Sequence, residues 1–180
     1  MANIFVIVGG KTSGKDEIIR AVYELGGLHA QVVPKFTSRP RHIDEDGREI
    51  RCNYIFEKEG NYDIGYRVLS QEDDREFHCD IVYKKNDIYY GIDSKQVWEG
   101  LRDHKFQVLV ASEVDAINSL RKMFGSLVKL IYIHGQNDEE NSLEFQMYIQ
   151  YFDFFDHVLI YESRKEDLYD QLFRLFRSYE

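Results

Sequence analysis

The hydrophobic positions along the chain switch repeatedly between two spacings. "NIFVIV" (3–8) is a continuous run of β-branched and aromatic residues. That pattern belongs to a strand buried on both faces, as in a parallel sheet. It predicts further strands over "AQVVPKF" (30–36), "KFQVLVA" (105–111), "LVKLIYI" (127–133) and "HVLIY" (157–161). Between them the spacing becomes helical. "KDEIIRAVYEL" carries apolar residues at 18, 19, 22 and 25, a stripe along one face, and Gly26-Gly27 ends it. "SKQVWEGLRDH" (94–104), "DEENSLEFQMYIQYF" (138–152) and "SRKEDLYDQLFRLFRSY" (163–179) are also predicted helices, the last of them amphipathic. "SEVDAINSLRKMF" (112–124) is a helix with a Ser112 cap, closed by Gly125. Residues 37–92 break the alternation. A polar loop, "TSRPRHIDEDGRE", is followed by short strands at "NYIFE", "YRVLS", "REFHCDIVYKK" and "DIYYGI". The expectation is an α/β fold, a parallel sheet with crossover helices, interrupted by a mostly β insertion.

Charge and cysteine content narrow the function classes. The 180 residues suit a single domain with a small inserted lobe. Lys and Arg number 23 against 32 Asp and Glu, a net charge of −9. An acidic surface argues against nucleic-acid or anionic-membrane partners, and a phosphate site must then gather its positive charge locally. Cys52 and Cys79 have no metal-ligand spacing and read as reduced thiols of a cytoplasmic protein. The six histidines show no metal spacing either. No apolar run approaches the ~20 residues of a membrane span, and no basic segment precedes the first strand as a secretion signal would require.

The candidate chemistry begins where the first strand ends. Gly9, four residues, then Gly14-Lys15 is the spacing of a phosphate-binding loop, and it lies between a predicted strand and a predicted helix. Backbone N–H groups of Gly9, Gly10, Lys11, Thr12, Ser13 and Gly14 would converge on an anion, with Lys15 adding a point charge. The plainer alternative is a glycine turn with a surface lysine. Asp16 stands where such a loop has the Ser or Thr that ligates Mg²⁺. Its carboxylate could hold the metal itself, or occupy the helix N-terminus and compete with phosphate.

A second cluster follows. Arg39 and Arg41 bracket Pro40, which stiffens the backbone between two guanidinium forks. Tyr89 and Tyr90 precede a glycine and a helix, and phenolic hydroxyls are neutral donors suited to phosphate oxygens. The order of these parts is a phosphate loop, then Thr-Ser-Arg-Pro-Arg, then a glycine and a Tyr-containing strand, then Tyr-Tyr-Gly, a helix and a buried strand. From residue 4 to about 134 it resembles the guanylate kinase family. The resemblance implies a P-loop NTPase-type core that binds ATP with Mg²⁺, an inserted lobe at 37–92 that binds a nucleoside monophosphate, and a lid region at 132–156. It implies that Arg39, Arg41, Tyr54 and Tyr90 hold the acceptor's phosphate, and that Lys15 and Arg39 serve transfer.

The departures from that family form a pattern. The arginine motif is one residue shorter than the family's, and the loop before Tyr54 is longer. The family's Asp-x-Asp at the end of "QVLVA" is Val110-Ala111-Ser112 here. Lys35 replaces a guanine-contacting Ser. The base-reading Glu ahead of Tyr-Tyr-Gly has no matching residue; Asp80 is the nearest acid, off by one, and Glu76 is further away. Residues 132–163 contain no Arg or Lys to serve as lid cations. Lys11 is an extra cation inside the loop, able to compensate in part or simply be solvated. Phosphate-gripping residues survive while guanine-reading and lid residues are mostly gone. Two classes follow: a kinase that moves the γ-phosphoryl of ATP to a nucleoside monophosphate, or an impaired guanylate-kinase-like module for nucleotide or protein binding. A kinase for another small phosphorylated molecule is a third. The aromatic run "MYIQYFDFFDHVLIY" reads as core or as a subunit contact, which makes a homodimer one expected partner state.

Overall fold

The computed structural model describes residues 2–10, 13–24, 29–37, 54–55, 66–69, 76–135, 143–162 and 164–180. In chain order the first elements are β1 (Ile4–Val8), α1 (Lys15–Glu24), β2 (Ala30–Val32), β3 (Phe36–Thr37) and β4 (Tyr54–Ile55). Then come β5 (Tyr66–Leu69), β6 (Glu76–Cys79), β7 (Ile81–Lys85), β8 (Ile88–Ile92) and α2 (Ser94–Arg102). The last are β9 (Phe106–Val110), α3 (Val114–Phe124), β10 (Val128–Gly135), α4 (Leu143–Gln150), β11 (His157–Tyr161) and α5 (Lys165–Arg177). No helix among the described residues is long and apolar enough to cross a membrane. The chain divides into two compact units: Met1–Val32 with Glu99–Glu180, and Val33–Trp98.

The first unit is built on a five-stranded sheet in the order β11-β10-β1-β9-β2, with every pairing parallel. The uninterrupted apolar run of β1 follows from its central place, because neighbours on both sides and layers on both faces leave no wet position. One face carries Phe5, Ile7, Phe106, Val108, Ile131, Ile133 and Leu159, covered by Ile18, Ala21 and Val22 of α1 and Leu168, Leu172, Leu175 and Phe176 of α5. Those α5 positions are spaced four, three and one apart, the helical stripe that the sequence predicts. Phe5 anchors this layer, stacked on Phe176 at 4.7 Å and edge-on to Phe106 at 5.4 Å. On the other face Tyr132 stacks on Tyr148 of α4 at 4.2 Å. Connections from β1 run toward β2, while those from β9 run toward β10. The loops after β1 and β9 therefore leave in opposite directions, and in open α/β sheets ligands bind in the crevice so formed at the carboxyl ends.

The second unit has a four-stranded sheet, β4-β3-β8-β7, and the pair β5-β6. β7 and β8 form a hairpin whose turn residues Asn86 and Asp87 both have positive φ, 49° and 63°, matching the twist of the flanking strands. Cys79 is buried here, and desolvation, with Asp93 and Asp80 nearby, pushes its thiol up to about 12, so it stays protonated. Cys52 lies outside the described residues, as do Gly26 and Gly27.

Three local expectations are corrected. "AQVVPKF" is not one strand: β2 joins the parallel sheet and β3 the second unit's sheet, with the break at 33–35. Pro34 has no N–H for a ladder bond and restricts the residue before it. "REFHCDIVYKK" is likewise split into β6 and β7 at Asp80. The cap of α3 is Glu113, not Ser112, and it makes no side-chain cap bond. Ser112 instead donates its N–H and Oγ–H to the Glu113 carboxylate, at 3.2 and 3.0 Å.

At the start of the edge strand β11, His157 Nε2 and Tyr179 Oη share a 2.6 Å hydrogen bond beside Asp156 and Lys129. Burial holds the His157 imidazole below its ordinary value, opposed by Asp156 and aided by Lys129. The folded state thus favours the neutral ring. Below the ordinary imidazole pKa of 6.5 the unfolded chain takes up the proton more readily, so stability falls as the pH is lowered, until the folded value is passed. His157→Phe is expected to flatten this part of the stability profile in urea melts from pH 8 to about 5. A difference between wild type and variant that does not change with pH would refute it.

Candidate functional site

The strand, loop and helix that the sequence predicts at the start are β1, residues 9–14 and α1. Gly9 must lack a side chain, because a Cβ there would sit 2.5 Å from Ser13 Oγ and 2.9 Å from the Ile133 carbonyl oxygen. Ser13 is fully buried and donates its N–H to the Gly10 carbonyl at 3.3 Å, closing the loop on itself. Gly14 has φ +95°, a region that glycine adopts freely. Its carbonyl accepts the first helical bond, from Ile18 N–H at 3.2 Å, so it caps α1.

Lys15 opens the helix, and its ammonium turns back into the loop. It donates to the carbonyl oxygens of Gly9, at 2.6 Å, and Gly10, with Ser13 Oγ at 3.4 Å. Its charge is thus held on the loop by main-chain acceptors. Asp16 and Glu17 supply two carboxylates to the first turn of α1, where the helix dipole favours negative charge. Asp16 is exposed. Lys11 and Thr12 lie outside the described residues.

The carboxyl end of β9 is one strand over from the loop, tied to β1 by Ala111 N–H donating to Ile7 O at 3.2 Å. The carboxylate there is Glu113, one residue beyond the Val-Ala-Ser stretch and held by both Ser112 donors. Alignment on a motif of fixed length passes over it. Its signal in the sequence is that it is the first acid after a buried strand neighbouring the loop strand.

In the second unit, Tyr54 of β4 is in register with Phe36, and Tyr90 of β8 with Thr37, so β3 separates them. The Tyr90 ring stacks on Tyr83 at 5.4 Å, and the Lys35 ammonium lies 5.5 Å from its centroid. Asp80, the nearest acid to a base-reading position, is committed elsewhere: its carboxylate accepts the Ser94 N–H at 2.9 Å and the Ser94 hydroxyl, capping α2. Arg39 and Arg41 lie outside the described residues. The structure therefore groups Gly9, Gly10, Ser13, Gly14, Lys15 and Asp16 in one loop and helix start, and Tyr54 and Tyr90 in one sheet.

Of the lid region at 132–156, residues 136–142 lie outside the described residues. The guanidinium of Arg121, on α3, lies 5.6 Å from the Phe154 ring and donates to its carbonyl at 2.9 Å. The first cation after the stretch, Arg164, pairs with Asp167 at 3.5 Å.

No family model matches the chain, and no curated protein matches it by sequence. Among solved structures, guanylate kinase from Anaplasma phagocytophilum is similar, with a TM-score of 0.61 and 14% identity over 99% of this chain and 86% of that one. At that identity the likeness is one of fold, and it agrees with the parallel five-stranded sheet: the chain has an α/β, guanylate-kinase-like fold.

Proposed function

We propose that the chain binds a nucleoside triphosphate, ATP in the first instance, at residues 9–16, and transfers its γ-phosphoryl to a nucleoside monophosphate. The observation that carries this reading is the loop after β1: a glycine with no room for a Cβ, a positive-φ glycine capping a helix, and an ammonium held on the Gly9 and Gly10 carbonyls. A helix N-terminus favours an anion, and Lys15 would give the site the local charge that an acidic chain must concentrate. Tyr90, Tyr54, Arg39 and Arg41 are assigned to the acceptor. Mg²⁺ suits the donor set, since it favours one or two carboxylates plus phosphate oxygens and water. Asp16 would hold it, and the ion would neutralise charge on the transferring group.

The test is a coupled assay with ATP and Mg²⁺ against GMP, AMP, CMP, UMP and their deoxy forms. Turnover above a Lys15→Ala control for one acceptor is expected; none for any acceptor sinks the transferase reading. A second reading has its own observation. Residues 132–163 hold seven acids and no Lys or Arg, so the stretch brings no positive charge to a transition state whose stabilisation is mostly electrostatic. On that reading the fold binds nucleotide, or a protein, without transfer, and calorimetry would record binding where the coupled assay records no turnover.

Asp16→Ser tests the metal assignment. A hydroxyl ligates Mg²⁺ without setting a negative charge beside polyphosphate, so affinity for Mg·ATP is expected to rise about fivefold, the worth of ~1 kcal/mol between exposed charges. Metal-free ATP should gain at least as much. A fall in Mg·ATP affinity would instead make the Asp16 carboxylate the better ligand.

A further inference from the structure

Tyr161, the last residue of β11, lies against Gly14. A Cβ built on Gly14 would meet Tyr161 Cδ1 at 2.7 Å, Cγ at 2.8 Å and Cβ at 3.2 Å, so the side chain covers that face of the glycine. Tyr161 also packs on the core layer shared by α1 and α5. The residue before it is pinned by α5: Ile160 N–H donates to Gln171 Oε1 at 2.9 Å, and Gln171 Nε2 donates to Ile160 O at 2.8 Å. Gln171 Nε2 also reaches Asp167 O at 3.2 Å. β11 is an edge strand, and one carboxamide stands in for the neighbouring strand that Ile160 lacks. Fixing both polar groups of Ile160 fixes the direction in which Tyr161 leaves the sheet.

We propose that Tyr161 is a positioning residue of the phosphate loop, held in place by Gln171. The proposal rests on the reading that residues 9–15 bind polyphosphate. Its physical basis is a conflict within Gly14. The turn into α1 needs φ +95°, which favours glycine, yet glycine samples more backbone conformations than any other residue. A loop whose amides wander binds an anion poorly, since donors must be aimed before the charge arrives. An aromatic ring pressed on the glycine removes those alternatives on one side without adding a Cβ. The loop thus takes its shape partly from a strand two places away in the sheet and from the last helix.

The experiment measures pyrophosphate affinity by calorimetry and the Gly14 proton resonances by NMR, which sense the ring current of an aromatic neighbour. Tyr161→Phe keeps the ring and is expected to retain both. Because a misplacement of ~1 Å can cost as much as 10²-fold, Tyr161→Leu is expected to weaken pyrophosphate about tenfold and Gln171→Ala about threefold. Both should move the Gly14 lines. Unchanged affinity in Tyr161→Leu overturns the proposal, as does equal loss in the Phe and Leu variants, which would assign the effect to the hydroxyl. If Tyr161→Leu does not fold, Gln171→Ala decides: a weakened affinity with displaced Gly14 lines supports the strut, and wild-type affinity overturns it. Wild-type protein that ignores pyrophosphate refutes the loop's reading itself, whereas binding indifferent to Tyr161 refutes only the positioning role.

Discussion

Lys15→Ala is expected to weaken pyrophosphate and ATP about 10²-fold or more, the scale on which one preorganised charged donor is removed from an anion site. The ammonium sits on the Gly9 and Gly10 carbonyls and near the Ser13 hydroxyl. An incoming phosphate offers it full negative charge in place of carbonyl dipoles, so the exchange adds an ion–ion attraction. In a chain of net charge −9 there is no general positive field to compensate. Lys15→Arg should restore little, because a planar fork cannot occupy the space of a compact ammonium. Calorimetry with pyrophosphate at fixed ionic strength measures this directly. An affinity within about threefold of wild type would mean that the lysine is a surface group and the loop an ordinary turn, since loss of a preorganised donor costs far more.

Gly14→Ala is expected to destabilise the fold by about 3 kcal/mol, with two separable causes. A non-glycine residue at φ +95° is strained by ~1–3 kcal/mol. Its methyl would also stand 2.7 Å from the Tyr161 ring, and overpacking of this kind costs ~1–3 kcal/mol. In a domain of this size the sum lowers the melting temperature by about 6–12 °C. Combining Gly14→Ala with Tyr161→Ala should relieve the steric part and leave the torsional part, a coupling that a double-mutant cycle reads out. A loss for Gly14→Ala under ~0.5 kcal/mol, the size of an ordinary surface change, would show that neither cause operates.

The elements of the parallel sheet were legible because each rests on local information. "IFVIV" reads as a central strand from its unbroken apolar run, and it is the middle strand of five. The stripes of α1 and α5 mark their buried faces. The glycine loop was legible for the same reason: glycines and a lysine at fixed spacing, between two periodic segments. The cap is misread where an adjacent side chain intervenes. Ser112 has the right chemistry and nearly the right position for a cap, but the neighbouring carboxylate captures both of its donors. Asp80, off by one from a base-reading position in the sequence, is held by Ser94 at the start of α2. Glu113 stands one residue beyond the stretch that matches the family's Asp-x-Asp, so a motif of fixed length passes over it.

The chain by itself determined the succession of strands and helices, the faces they bury and the position of the glycine turn, since side-chain periodicity and backbone preference act over a few residues. The fold decided which strand lies beside which, where the Lys15 ammonium rests, and that Tyr161 presses on Gly14. Those outcomes depend on contacts between segments far apart in sequence, where close packing rather than local preference selects the partner.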